Sequence, residues 1–374
     1  MALKKVLFVA NHKGFSKFNA PYMAWFKENG WQVDNASPGI ETTIIDNQYD
    51  VDIHRSPFSL KNITAYKQLK KIINQGNYDI IHVHTPMGAV LGRLGAIGAR
   101  KKGTKVIYTA HGFHFFKGAP IINWMLYYPI EKLLARWTDA LVTINEEDYH
   151  RAMRHHLSNG KIYHIDGVGV NLERFHPISQ ELKKQIRDKL GLSQDDFVGL
   201  YVAQFIKRKN HAFIIEALPQ ILTEIPNFKM VFAGSGETFE YCKKRAKELG
   251  VSDAIKFLGG RSDIPDLCGM ADIHISSSVQ EGLAIGNIEA MACGCPLVIS
   301  NIRGHKEVCN NNENGYLFNF KDSADFIKAI IMLNHDRDKY NRISKSNIEK
   351  ANQFSIKSSL KSMSNIYISL TNNL

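Results

Sequence analysis

The stretch ADIHISSSVQEGLAIGNIEA, residues 271–290, decides the fold. Its first part, ADIHISSS (271–278), is short, apolar and rich in β-branched residues, the mark of a buried strand. A short polar turn follows, and then a helix-forming run from about Ala284 to Ala292. A strand that feeds a loop and then a helix N-terminus is where an α/β protein holds phosphate, because backbone N–H groups and the helix dipole point at the ligand. Glu281 lies in the loop and Glu289 more than a turn inside the helix, with seven residues between them. A ligand that spans both carries hydroxyls at each end and negative charge in the middle, which describes a nucleotide sugar.

Outward from that stretch, strands alternate with helical patterns. In the first half the short apolar runs are KKVLFVAN (4–11), TTIIDN (42–47), YDIIHVH (78–84), KVIYTAH (105–111), DALVTIN (139–145) and KIYHID (161–166). Helical stretches such as PYMAWFKENG (21–30) and ITAYKQLKKIINQG (63–76) lie between them. The polar, helical segment 171–196 interrupts the alternation and marks a junction. A second series follows: FVGLYVAQF (197–205), FKMVFAGS (228–235), AIKFLGG (254–260), DIHISSS (272–278), PLVISN (296–301) and YLFNF (316–320). The expectation is an α/β chain of two Rossmann-like, doubly wound parallel sheets, residues 1–172 and 173–354. A chain of 374 residues suits two cores better than one.

Composition narrows the function. Hydrophobic content of 44% and charged content of 22% are those of a globular protein. No apolar run reaches the roughly 18–20 residues of a membrane-spanning helix. MALKKVLFVANHKG starts basic and apolar but has no small-residue cleavage site, and it reads as a first buried strand of a cytoplasmic protein. Of the five cysteines, Cys293 and Cys295 are one residue apart, which is neither a zinc knuckle nor a redox pair. Most of the net charge of +11 sits in the first half: residues 1–170 carry 21 Lys+Arg against 13 Asp+Glu, and residues 171–374 carry 26 against 23. No nucleic-acid motif accompanies that excess, so anionic lipid or a diphosphate-linked acceptor is the better partner.

The Glu281–Glu289 spacing resembles the E-x7-E motif of retaining glycosyltransferases of the GT-B fold, family four. The resemblance runs from residue 5 to about residue 320. HVHTPMGAVLGR (82–93), TAHGFHFFKGAP (109–120), YYPIEK (127–132) and TINEEDY (143–149) look like the branch that builds bacterial capsular and exopolysaccharides. The resemblance implies that Glu289 accepts hydrogen bonds from the ribose diol, while Glu281, Gly282, Leu283 and Ala284 lie along the sugar and diphosphate. Family members commonly hold a glycine at the position of Ala284, which bears on which sugar fits. Lys209, in VAQFIKRKNHAFIIEAL (202–218), falls where the family places a lysine on the donor diphosphate. Five residues earlier an arginine is usual and Gln204 stands here, so the missing charge falls to Lys209, the helix end or Arg208. His111 ends a strand where the family has a histidine beside the transferred sugar. Gly14 follows the first strand and lets backbone approach the donor phosphate or the acceptor, and Arg261 falls at the base pocket. Relatives also fold their last helix back on the first domain, the expectation for 355–374.

The implied reaction is retaining transfer of a sugar from a nucleotide diphosphate, N-acetylhexosamine or galactose on UDP, to a lipid-diphosphate-linked saccharide. It needs neither metal nor other cofactor. The aromatics between His111 and Trp137, with Lys117, Lys132 and Arg136 among them, suit a peripheral membrane contact on the inner face of the plasma membrane. Asp50-Val51-Asp52 is a D-x-D set far from the second-half site. Gly234-Ser235-Gly236 opens like a dinucleotide fingerprint but has Phe239 where a third glycine belongs. Two other readings share the architecture: a nucleotide-sugar epimerase, and a nucleotide-sugar-binding subunit without turnover.

Overall fold

The computed structural model describes residues 3–40 and 42–371. The chain divides into two compact units, Met1–Gly169 with Ile356–Leu374, and Val170–Ser355. The first holds β1 (Lys5–Val9), β2 (Gln32–Ser37), β3 (Asn47–Asp50), β4 (Ile80–His84), β5 (Lys105–Ala110), β6 (Ala140–Thr143) and β7 (Lys161–His164). They form one parallel sheet in the order β3-β2-β1-β4-β5-β6-β7. The second holds β8 (Phe197–Val202), β9 (Phe228–Ala233), β10 (Ile255–Phe257), β11 (Ile273–Ser276), β12 (Leu297–Ser300) and β13 (Gly315–Phe318). Their order is β10-β9-β8-β11-β12-β13, again parallel throughout. Each sheet is covered by helices on both faces, so most of its central strands read as apolar runs. In each, the strand order reverses once, between β1 and β4 and between β8 and β11. Loops leaving the carboxyl ends of strands at such a reversal part to opposite faces and leave a crevice where ligands bind.

Three expectations need correction. TTIIDN (42–47) is not a strand; the strand beside β1 is QVDNAS, Gln32–Ser37. Its polar look hid it, because its buried polar groups are satisfied inside the sheet. Asp34 accepts from the Tyr78 hydroxyl at 2.7 Å and from Asn47 Nδ2 at 2.9 Å, and Asn35 Nδ2 donates to Gln48 Oε1 at 2.7 Å. The first helix runs Gly14–Glu28 and carries Pro21 inside it, so it begins seven residues before the stretch 21–30. Its buried face, with Tyr22, Met23 and Phe26, outweighs the lost backbone hydrogen bond at proline. The junction segment 171–196 is helical only over Gln180–Lys189.

The helix Ile356–Thr371 lies on the first unit, against Gly14–Glu28. The Tyr22 and Ser359 hydroxyls are 2.6 Å apart, and the Tyr367 ring lies 4.5 Å from Phe26. Residues 372–374 of the expected helix lie outside the described residues. Most aromatics of 113–128 pack on the core of the first unit. Phe113 and Phe115 are buried, and Trp124, Tyr127 and Tyr128 pack on the same cluster. Two of the quoted motifs meet there: Arg93 of HVHTPMGAVLGR reaches Glu131 of YYPIEK at 2.8 Å, over the face of Tyr108.

Candidate functional site

In the second unit the site forms where β8 and β11 part. Beyond β8 the chain makes a short turn, Lys207–Lys209, ending at Asn210 with φ +53, and enters the helix His211–Glu224. Asparagine tolerates that left-handed backbone better than most residues. The turn is pinned from beneath. The Tyr201 hydroxyl donates to Lys209 O at 2.9 Å, and Ser277 Oγ lies 2.8 Å from Asn210 O. Its three cations are therefore not one solvated cluster: Lys207 is exposed, whereas Lys209 turns inward over the end of β11.

Lys209 Nζ donates to Glu281 Oε1 at 2.5 Å, and Arg208 Nη1 donates to Glu281 Oε2 at 3.3 Å and to Gln280 O at 3.2 Å. Glu281 is 9% exposed. Burial alone raises its carboxyl, but the charge and hydrogen bond of Lys209, with Ser278 and Arg208, hold it below the usual glutamate range. Two cations thus meet one carboxylate at the mouth of the crevice. Glu281 leads through Gly282 and Leu283 to Ala284, which precedes the helix Ile285–Ala292 and has no side-chain oxygen to cap it. The first amides of that helix have no partner within it and can donate to an anion. Glu289 sits half-buried on this helix, close enough to Cys268 to raise that thiol further, after Cys293 and burial.

The loops after β8, β9 and β10 lie side by side. Phe205 N donates to Ser235 O at 3.0 Å, and Gly234 N donates to Gly259 O at 2.7 Å. Gly234 has φ +153, and a Cβ there would stand 1.9 Å from Ala203 O, so the Gly-Ser-Gly run serves this backbone contact. Gln204 is exposed on the first of these loops. Arg261 is on the third, where its Nε and Nη2 donate to Asp263 at 2.8 and 2.5 Å rather than to any other candidate residue.

Sequence reading missed the layer behind Glu281. Ser300 Oγ donates to Ser278 O, buried His305 Nδ1 lies 2.8 Å from Ser300 O, and a Cβ on Gly304 would stand 2.7 Å from Glu281 O. The helix-start Arg303–Lys306 therefore backs the Glu281–Gly282 backbone. The signal was the serine next to last in PLVISN and a Gly-His pair after it, in the same strand–loop–helix pattern as 271–290.

In the first unit the loops after β1, β4 and β5 hold the other candidates. Gly14 opens the first helix, its N–H 3.1 Å from His12 Nδ1, and the neighbouring Phe15 ring lies edge-on to His111 at 4.9 Å. His111 Nε2 is 3.2 Å from His84 Nδ1, and burial lowers His111 to about 4, so it stands neutral at pH 7. The loop beyond it is fixed by the buried Asp148, which accepts the Phe113 N–H at 2.9 Å. Thr85, next to His84, holds φ +63, a strained value for a β-branched residue, while its hydroxyl accepts the Asn11 N–H at 3.2 Å. Asp50 and Asp52 are at the far edge of the sheet, on and just after β3.

Two family models match. One, glycosyl transferases group 1, covers residues 183–350, and the other, glycosyl transferase 4-like, covers residues 5–145. A putative glycosyltransferase EpsD of Bacillus subtilis is 42% identical over 97% of this chain and 96% of its own length. An Escherichia coli UDP-Gal:alpha-D-GlcNAc-diphosphoundecaprenol alpha-1,3-galactosyltransferase is 28% identical over 85% of this chain and 84% of its own. Among solved structures, Anabaena Alr3699/HepE in complex with UDP and glucose superposes with a TM-score of 0.79 at 18% identity, covering 98% of this chain and 100% of that one. WaaG, a glycosyltransferase involved in lipopolysaccharide biosynthesis, gives 0.76 at 14% identity, over 97% of this chain and 99% of that one.

Proposed function

We propose, from the premise that this chain belongs to the group 1 glycosyltransferases of the GT-B fold, that it moves galactose or an N-acetylhexosamine from UDP to a saccharide on a lipid diphosphate. The product is a step in capsular or exopolysaccharide assembly on the cytoplasmic side. The observation that carries this reading is the pairing of Lys209 and Glu281 where the second sheet reverses its strand order. The donor and acceptor classes draw support from the 28% identical E. coli relative, whose substrate is a GlcNAc diphosphoundecaprenol.

In this reading UDP lies across the end of β8. Its two phosphates meet Lys209, Arg208 and the first amides of the helix Ile285–Ala292. Glu289 accepts from the ribose diol, Arg261 and the loop after β10 adjoin the base, and Gly282–Ala284 border the sugar. As the bond from the anomeric carbon to the β-phosphate oxygen breaks, negative charge gathers on the diphosphate. Fixed cations and amides already aimed there stabilise it without solvent reorganisation. The acceptor hydroxyl oxygen forms the new bond to the anomeric carbon, and its proton leaves with the diphosphate oxygen that departs from the same face, which preserves configuration. Charge neutralisation falls to side chains and backbone, so the scheme calls on no metal. By the family resemblance alone, His111 stays assigned to the sugar and Gly14 to a backbone contact.

The test is to supply purified enzyme with a panel of UDP-sugars and a GlcNAc-diphospholipid, and to read the product by mass spectrometry. A lipid product heavier by one hexose or N-acetylhexosamine supports the proposal. Donor interconversion without acceptor points to an epimerase, and donor binding without transfer to any acceptor points to a binding subunit.

Two substitutions probe individual contacts. Glu289→Ala should weaken UDP binding by roughly 1–3 kcal/mol, because the ribose hydroxyls lose their acceptor; unchanged affinity in calorimetry removes Glu289 from the ribose. Arg208→Gln should weaken UDP binding about three- to tenfold, its side chain being 44% exposed and partly screened. Adding Gln204→Arg should restore the affinity if position 208 supplies the charge that Gln204 lacks. A double variant no tighter than the single one would remove that compensation.

A further inference from the structure

We infer that His84 is a positioning residue that fixes the tautomer of His111, so that His111 presents its Nδ1–H as a hydrogen-bond donor at the carboxyl edge of the first sheet. The inference deepens the reading that sets His111 beside the transferred sugar, and its catalytic part rests on that reading.

Strand register brings the two rings together. β4 and β5 run parallel with His84 opposite Thr109. Residues two apart along an extended chain share a face, so His82 and His84 form one row and Thr109 and His111 the next. The rows bond in step: His82 Nε2 lies 2.8 Å from Thr109 Oγ1, and His84 Nδ1 lies 3.2 Å from His111 Nε2. His82 uses its other nitrogen on the Tyr367 hydroxyl at 3.0 Å, which leaves it nothing to offer His84. The backbone after His84 is held as well. Thr85 keeps φ +63 while its hydroxyl accepts the Asn11 N–H at 3.2 Å, and a Cβ on Gly88 would stand 2.8 Å from that oxygen. Backbone strain of this kind persists only where the surroundings impose it.

A bond between two neutral imidazoles admits two arrangements. Either His84 Nδ1–H donates to His111 Nε2, or His111 Nε2–H donates to His84 Nδ1. Both rings are neutral at pH 7, since burial takes His84 well below its ordinary range and His111 to about 4. The surroundings of His84 decide between the two. His84 is fully buried, and its Nε2 has no hydrogen-bond partner among the described residues. In the second arrangement that nitrogen carries the proton, and a buried N–H goes unsatisfied. An aromatic face could accept it only from a ring standing across the plane of His84. None of its neighbours does: Phe8 lies at 6° to that plane, His111 at 35°, Phe15 at 37° and His82 at 40°. In the first arrangement Nε2 is a lone pair among rings, and an orphaned acceptor is the commoner defect in protein interiors than an orphaned donor.

His84 therefore donates, His111 Nε2 accepts, and the His111 proton sits on Nδ1. That nitrogen has no partner among the described residues, and His111 is only half-buried, so the N–H is left for a ligand. Phe15 packs edge-on against the same ring at 4.9 Å, which gives its orientation a second support. A neutral imidazole with its proton held on one nitrogen offers a sugar oxygen a donor of fixed direction, with nothing to reorient as the sugar departs. It offers no free lone pair, because Nε2 is engaged by His84. His111 can thus bind the sugar but cannot take the proton of the attacking hydroxyl.

The test is a long-range proton–nitrogen correlation spectrum of the full chain carrying isotope-labelled histidine, at pH 7.5 and without substrate, with His111 assigned by the signal that His111→Gln lacks. A single His111 tautomer protonated on Nδ1 is expected. His84→Phe keeps a ring and removes the N–H, whereas His84→Asn keeps an N–H near the place of Nδ1. In His84→Phe, His111 should lose its single tautomer and kcat for sugar transfer should fall about tenfold, while UDP affinity and melting temperature stay at wild-type values. His84→Asn should recover most of that rate. His111 protonated on Nε2 or exchanging between tautomers in the wild-type chain, a wild-type rate in His84→Phe, or equal losses in His84→Phe and His84→Asn would overturn the inference. The wild-type spectrum depends on neither His84 variant and on no choice of sugar, so it decides the tautomer even where the proposed transfer fails.

Discussion

Replacing Lys209 by alanine is expected to lower turnover by about 10²–10³-fold, the range found when one preorganised donor is removed from a developing oxyanion. The expectation rests on how the residue is held. Its backbone carbonyl is fixed by Tyr201 and Ser277, and its ammonium is set on Glu281 before any donor arrives. A cation whose position is already determined costs nothing to orient as charge gathers on the departing UDP. Arg208 remains within reach of Glu281 in the variant, so that carboxylate keeps one cation and the fold should hold. The comparison with Glu281→Gln separates two roles. If the pair were only a structural clamp, breaking it from either side would cost the same. If Lys209 serves the leaving group, its loss should lower kcat well beyond the loss seen with Glu281→Gln, and Lys209→Arg should recover part of the rate. Single-turnover rates at saturating donor provide the measurement, and a wild-type rate in Lys209→Ala removes it from the diphosphate.

The readable parts of the sequence were those where one residue's chemistry dominates its surroundings. The strands on either side of each reversal are buried on both faces, so VLFV, IIHV and VGLYV announce themselves as apolar runs, and IHIS through its two isoleucines. The loops after them could be located by counting from those strands, which is why Lys209 and Glu281 fall where the pattern put them. Gln32–Ser37 failed because its side chains satisfy each other, and no single-sequence pattern shows that Tyr78 will reach back to Asp34 across 44 positions. The ion pairs of Glu281 and Arg261 carry no motif either. Both depend on loop paths that bring residues of different loops, or one loop's own turn, to within hydrogen-bond distance. Arg261 falls at the expected base pocket, and its partner Asp263 stands only two residues on. Gly304 and His305 were missed for another reason: their work is to support a backbone, and support carries no motif.

The chain is expected to lose stability steeply as pH falls from 7 toward 5, and histidines set the window. Burial lowers His82 to about 3 and His111 to about 4, and takes His84 well below its ordinary value, in the first unit. It lowers His211 to about 3 and His274 and His305 to about 4 in the second. An unfolded histidine binds its proton near pH 6.5. Between that value and 4, the unfolded chain takes up protons that the folded chain refuses, so the stability present above pH 7 is lost on acidification. Each such histidine contributes up to about 1.4 kcal/mol per pH unit across the window, and each unit holds three. His211 is the clearest case. Neither of its ring nitrogens has a hydrogen-bond partner, and its ring stacks on Phe205 at 3.9 Å, so protonation would place an uncompensated charge among aromatic rings. Urea midpoints measured at pH 7.5, 6 and 5 should fall in sequence. His211→Phe should flatten the acid limb of the second unit, because it keeps the stacking and removes the titration. Midpoints that do not move between pH 7.5 and 5 would mean that these rings are hydrated or already charged in the native chain.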